Sequence, residues 1–164
     1  MSGFYEELVY RIRGEVSDLD RLVQKALRVW SRVQKPENEQ DIYLDSIALN
    51  LHGFYSGLER LFELIARHID QRLPAGEMWH RDLLQQMAEE MTNVRPAVIS
   101  PERIVSLDHL RRFRHLVRNV YTFNLSQDKL KSLMADLPGL WLHVQAELLA
   151  FADFLSELSR PNQT

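Results

Sequence analysis

Cysteine is absent from this chain. Disulfides and cysteine-ligated zinc are therefore excluded, and the absence agrees with a reducing compartment. No apolar run approaches the roughly 18 residues of a membrane span. The N-terminal stretch carries Glu6 and Glu7 and lacks a hydrophobic core, so no secretory signal is expected. These absences together predict a cytoplasmic protein. No segment alternates apolar and polar residues as a half-buried strand does, and there are no internal repeats. The histidines (His52, His68, His80, His109, His115 and His143) form no His-x-x-x-His pair, so no metal is expected. Gly-x-Ser-x-Gly elbows and glycine-rich phosphate loops are missing too, and no cofactor is expected. A formal charge of −3 and a pI near 6.1 argue against a general nucleic-acid binder.

What is present is helical periodicity. The length of 164 residues suits one domain, and 45% hydrophobic residues suffice for a core. Val16, Leu19, Val23, Ala26, Trp30 and Val33 alternate steps of three and four, predicting a helix over 5–34. Lys35-Pro36-Glu37-Asn38 is the first turn. Ile47, Leu51, Phe54, Leu58, Leu61, Ile65 and Ile69 mark a second helix over 39–72, closed by Leu73-Pro74-Ala75-Gly76. Gly53 and Gly57 leave one stripe of it bare, which favours close packing against another helix or subunit over a ligand role. Leu83, Leu84, Met87 and Met91 predict a shorter helix over 77–91. Trp79 should plug the core there, with His80 and Arg81 on the rim.

Ser100-Pro101-Glu102 is a start signal, with serine as N-cap and proline at the first helical position. The fourth helix should run from 101 to about 124. Asn124-Leu125-Ser126 is its exit, and Ser126 caps the next. Leu130, Leu133, Leu137, Trp141, Val144, Leu148, Phe151 and Leu155 hold one register through a fifth helix, with a kink or short break at Pro138-Gly139. The expected architecture is all-α: an antiparallel bundle of about five helices in a single domain over 1–158, with a flexible tail at 159–164.

The chemistry is concentrated in the fourth helix. Between residues 109 and 121 lie four arginines and no carboxylate. Leu110, Phe113, Val117 and Val120 make an apolar stripe. Arg111, Arg114, Arg118 and Tyr121 form a second row, and Arg112, His115 and Asn119 a third. Such a helix can put one side in the core and present cations, an imidazole and a phenol on the others. A row of arginines is often a solvated face or a salt-bridge network; an anion site is the alternative.

The run Arg114-His115-Leu116-Val117-Arg118-Asn119-Val120-Tyr121 resembles the Arg-x4-His-x-Tyr motif of the HEPN superfamily. More narrowly, the chain resembles HepT-like toxins encoded beside a minimal nucleotidyltransferase. Leu49-Asn50-Leu51-His52-Gly53-Phe54-Tyr55-Ser56-Gly57-Leu58-Glu59-Arg60 is similar to the second helix of that group, and Glu77-Met78-Trp79-His80-Arg81-Asp82-Leu83-Leu84 to its third. The resemblance implies metal-independent RNA cleavage by a homodimer whose two motif helices meet at a shared cleft. It implies a phosphate-binding role for Arg114, with Arg111, Arg118 and His115 as further RNA contacts. It implies that Tyr121 can accept AMP from the nucleotidyltransferase antitoxin, which neutralises the toxin.

Asn119 stands where the family has its catalytic histidine. Histidine exchanges protons near neutral pH, whereas an asparagine amide only hydrogen-bonds. Loss of that help should cost on the order of 10²–10⁴ in rate. The expected function is thus an attenuated or inactive ribonuclease scaffold, whether Asn119 is natural or an inactivating replacement. The alternatives are a non-catalytic HEPN module that binds a nucleotidyltransferase or nucleotide, and a plain structural bundle. Arg114 and Asn119 lie five apart, about 140° around a helix. One chain would struggle to aim both at one phosphate, and a two-fold axis would relieve this.

Overall fold

The structure is a computed structural model that describes residues 2–33, 39–119 and 125–160. It contains five α-helices: α1 (Ser2–Val33), α2 (Gln40–Ile65), α3 (Trp79–Met87), α4 (Ile104–Asn119) and α5 (Gln127–Ser159). No strand occurs among the described residues; a single bridge joins Met91 and Arg95. The expected all-α bundle is therefore the observed one. The turn at 35–38 and the tail from 161 lie outside the described residues.

α1 packs along both α2 and α5, and α4 lies on α2 with α3 beside both. The seams follow the sequence stripes. Ile12, Val16, Leu19, Val23 and Ala26 of α1 are buried, as are Ile47, Leu51, Phe54, Leu58, Leu61 and Ile65 of α2. Leu137, Trp141, Val144, Leu148, Phe151 and Leu155 complete the core from α5. Each such aliphatic side chain contributes on the order of 1.5–3 kcal/mol when fully buried. Trp141 meets Phe54 edge to face at 5.3 Å, and its indole N–H donates to Asp20 of α1 at 2.9 Å. Trp30 is only half-buried, although Val33, one turn later in the same stripe, is buried.

Gly57 explains the bare stripe on α2. A Cβ built there would lie 2.6 Å from Leu19 Cδ2 and 2.9 Å from Glu15 Oε1, both on α1. The missing side chain is what lets the two helices approach.

Several ends differ from their expected places. α2 gives way at Ala66–Asp70 to a π-helical turn, and Gln71 follows with φ 54°. The Arg72 amide then returns to the Ala66 carbonyl at 3.0 Å, so the helix ends on a left-handed residue before Pro74 is reached. The widened turn holds Asp70 against Arg95, a pair whose side chains are both 0% exposed. Arg95 also donates to the carbonyls of Gln86 and Glu89, and the Val98 amide to that of Met87. These bonds take up the C-terminal carbonyls of α3, which therefore stops at Met87 short of the expected 91.

Ser100 precedes a 3-10 turn, Pro101–Arg103, and α4 proper starts at Ile104. The serine hydroxyl bonds Glu147 of α5 and does not cap its own helix. Ser126 does cap α5, accepting from the Lys129 amide. The short break considered at Pro138-Gly139 does not occur: α5 runs unbroken through Pro138. Packing against α1 outweighs one missing backbone bond.

Two glycine substitutions should separate close packing from helix propensity. Gly57→Ala must displace Leu19 in a filled core and should destabilise by about 1–3 kcal/mol. Gly14→Ala in α1 meets nothing within 4 Å and should stabilise by about 0.5–1 kcal/mol. Thermal denaturation of both variants checks this; stabilisation at both positions would contradict the close approach.

Candidate nucleic-acid site

Arg114 lies on α4 next to Phe113, and both are buried; Arg114 is 7% exposed. The row that could have presented its arginine to solvent instead turns it inward. Its Nη2 donates to Glu59 Oε2 of α2 at 2.9 Å, and Nη1 lies 3.5 Å from Ser56 Oγ. The guanidinium carbon sits 4.8 Å from the Tyr55 ring centroid, a cation–π geometry. The carboxylate missing near the motif in sequence is thus supplied from another helix. Asp108, six residues before Arg114 on the same helix, supplies a second: it pairs with Arg111 and Arg112, each at 2.8 Å.

Tyr55 shares the buried floor. Its hydroxyl has no hydrogen-bond partner among the described residues. Burial, then the Glu59 charge, pushes its phenol above the ordinary tyrosine value, against the opposing pull of Arg114. It stays neutral, and the aromatic face serves the arginine.

His80 completes the cluster from the first turn of α3. Its Nδ1 is 2.8 Å from the same Glu59 oxygen and 3.3 Å from Arg114 Nη2. A single ring nitrogen cannot both donate to Glu59 and accept from Arg114. The shorter contact to a buried carboxylate selects Nδ1–H donating to Glu59. The lone pair of the neutral ring then lies on Nε2. Trp79 stacks on the imidazole at 3.6 Å with planes 30° apart. His80 is thus a half-buried residue at the cleft, fixed on one side by a carboxylate and on its face by an indole.

Above this floor lies an open cleft of about 600 Å³ between the start of α3 and one face of α4. Gly76 to Met78 form one edge, where Gly76 adopts φ +97° and the Trp79 amide bonds back to its carbonyl at 3.3 Å. Trp79, His80 and Arg81 come from α3, and Arg111 and His115 from α4. Two imidazoles, two guanidiniums and an indole thus face one space, with Glu77 the only carboxylate among the described lining residues. Such a lining suits an anion that carries flat rings. Arg114 does not line it and touches it only through His80. Glu77 and His80 have the Glu-x-x-His spacing of helical metal ligands, but Glu77 precedes the helix. Among the described residues no three such groups gather to hold a metal.

Of the residues singled out in the sequence, the structure brings Arg111 and His115 to the cleft and Arg114 to its floor. Arg118 and Asn119 fall in the last turn of α4, and Tyr121 lies outside the described residues. Glu59 and the cleft role of His80 were not anticipated. Both stand inside the segments that resemble the second and third helices of the HepT-like group, and that placement was the available signal.

No helix among the described residues is long and apolar enough to cross a membrane. No curated protein and no solved structure matches the chain. A family described as HepT-like protein matches residues 46–155, a span that runs from α2 to the last turns of α5 and includes the whole cleft. On that match over most of its length, the chain belongs to the HepT-like family of the HEPN superfamily.

Proposed function

We propose that this protein binds RNA in the cleft between α3 and α4 and is a HepT-like ribonuclease attenuated at the motif position held by Asn119. The observation that carries the reading is the lining of that cleft: Arg81, Arg111, His80, His115 and Trp79 around one space, on a chain of this family. Guanidiniums suit phosphates, and an indole suits an unstacked base. Scission through the ribose 2′-hydroxyl needs no metal, so the reading asks for none. Within it the protein acts as a two-fold dimer that joins the motif helices of both copies. A minimal nucleotidyltransferase is its partner, and Tyr121 accepts AMP. The added nucleotide brings negative charge and bulk against the cations that RNA needs, so neutralisation follows from competition.

Restoring histidine in Asn119→His should raise cleavage of a mixed RNA pool by on the order of 10²–10⁴ and slow growth when expressed. Gel analysis of the pool reads the first effect and colony growth the second. A folded Asn119→His protein that binds RNA and never cleaves it would sink the ribonuclease reading.

Arg111 lines the cleft and Arg112 does not, although both pair with Asp108. Arg111→Ala should therefore weaken binding of single-stranded RNA more than Arg112→Ala. It should also reduce the salt slope by about 0.7 for each phosphate left without its cation. Salt titrations with a labelled oligonucleotide measure both. Equal effects would mean that the basic face binds without a defined cleft.

A further inference from the structure

The cleft contains two imidazoles that the family motif does not use. One is tied into the buried floor and the other stands on the facing helix. We propose that His80 is the general base and His115 the general acid of a residual RNA cleavage centre in this cleft, with Glu59 as the positioning residue. The inference rests on the ribonuclease reading above and names the groups that would carry the remaining activity.

The argument starts at Glu59. The residue is 6% exposed, and its carboxylate accepts from both Arg114 and His80. With Nδ1–H spent on that carboxylate, a neutral His80 presents an unprotonated Nε2. The Trp79 stack fixes the ring plane. A carboxylate that holds one imidazole nitrogen as donor, so that the other accepts a proton, is a general way to build a base. Neutral asparagine at 119 removes a titrating group from the motif but leaves this pair intact. Across the cleft His115 shares the lining with Arg111, one helical turn before it. The groups bearing on His80 are Glu59, Arg114 and Tyr55 beneath it, and Arg81, Arg111, His115 and Glu77 in the cleft.

The step balances without metal, water or redox partner. His80 Nε2 takes the proton of a ribose 2′-hydroxyl. The 2′-oxygen forms a bond to the adjacent phosphorus, and the bond from phosphorus to the 5′-oxygen breaks. Protonated His115 gives its proton to that 5′-oxygen. The products are a 2′,3′-cyclic phosphate and a 5′-hydroxyl end, with the developing charge beside Arg111. His80 then returns its proton to solvent and His115 regains one.

The test uses the full chain and a labelled single-stranded RNA, with the same strand carrying 2′-deoxyribose throughout as control. His80→Asn is the informative variant. Its amide can still donate to Glu59 in place of Nδ1–H, yet it has no group to take up a proton. Wild type should cleave slowly to cyclic-phosphate ends and leave the deoxyribose strand intact. His80→Asn should keep its melting temperature while its cleavage, measured at saturating RNA, falls by about 10²-fold or more. His80→Ala should recover part of the activity with added imidazole, which a merely structural histidine would not show. Cleavage by His80→Asn at the wild-type rate overturns the inference. So does a wild type that binds RNA and does not cut it, an outcome that leaves the RNA-binding reading standing. A wild type that fails to bind RNA overturns the function itself.

Discussion

A single buried carboxylate sets the arrangement of the working half of this molecule. Glu59 projects from α2 into a space where it meets Arg114 of α4 and His80 of α3. Taking a carboxylate out of water costs several kcal/mol unless it is paired and hydrogen-bonded. Here one oxygen receives two donors from two helices. The guanidinium in turn is satisfied by that oxygen, with the Tyr55 face below it. Removing either charge would strand the other, at a cost of about 3–5 kcal/mol. The cluster is close to neutral when His80 is uncharged, and it fixes three helices relative to one another. That constraint creates the cleft, because α3 can approach α4 only as far as His80, Glu59 and Arg114 allow.

The same device recurs at the other end of α3. Arg95 and Asp70 are fully buried, and Gln86 donates to the same aspartate at 2.7 Å. This second pair joins the π-helical turn after α2 to the loop after α3. A nine-residue helix is too short to be stable alone, so it needs such ties. One end of α3 is held through His80 and the other through Gln86, which pins a short element firmly enough to carry precise side-chain geometry. Leu83, Leu84 and Met87 fill the core between the two ties.

The apolar stripes made the helices and most of the core legible in the sequence. Ile47 through Ile65 and Leu137 through Leu155 are buried where their period says, because burying one face of each helix supplies most of what holds a bundle together. Helix ends were less legible, since they depend on partners far along the chain. Ser100 has every local mark of a cap, yet its hydroxyl goes to Glu147. The α3 carbonyls end at Arg95 and Val98, which no local rule foresees. The site was half legible for the same reason. Periodicity groups Arg111, Arg114 and Arg118 on one row, but it cannot tell solvent from a carboxylate on another helix. Glu59 lies 55 residues from Arg114, and no spacing rule spans that distance.

Register within α4 shows how the motif and the cleft relate. Arg111 and His115 are four apart and both line the cleft. Position 119 comes after another step of four. A histidine there would extend the same row by one turn, and this chain has asparagine. Arg114 is on a different side of the helix, turned into the core, where its charge holds Glu59 and through it His80. Its effect on an anion in the cleft is then indirect: it holds the Glu59 carboxylate in place against Nδ1 of His80, on the side of the ring away from Nε2. In the proposed ribonuclease, Arg114 would therefore act through His80 and not on a phosphate. On the proposed reading, what decides the chemistry is how the buried pair orients the imidazole beside it.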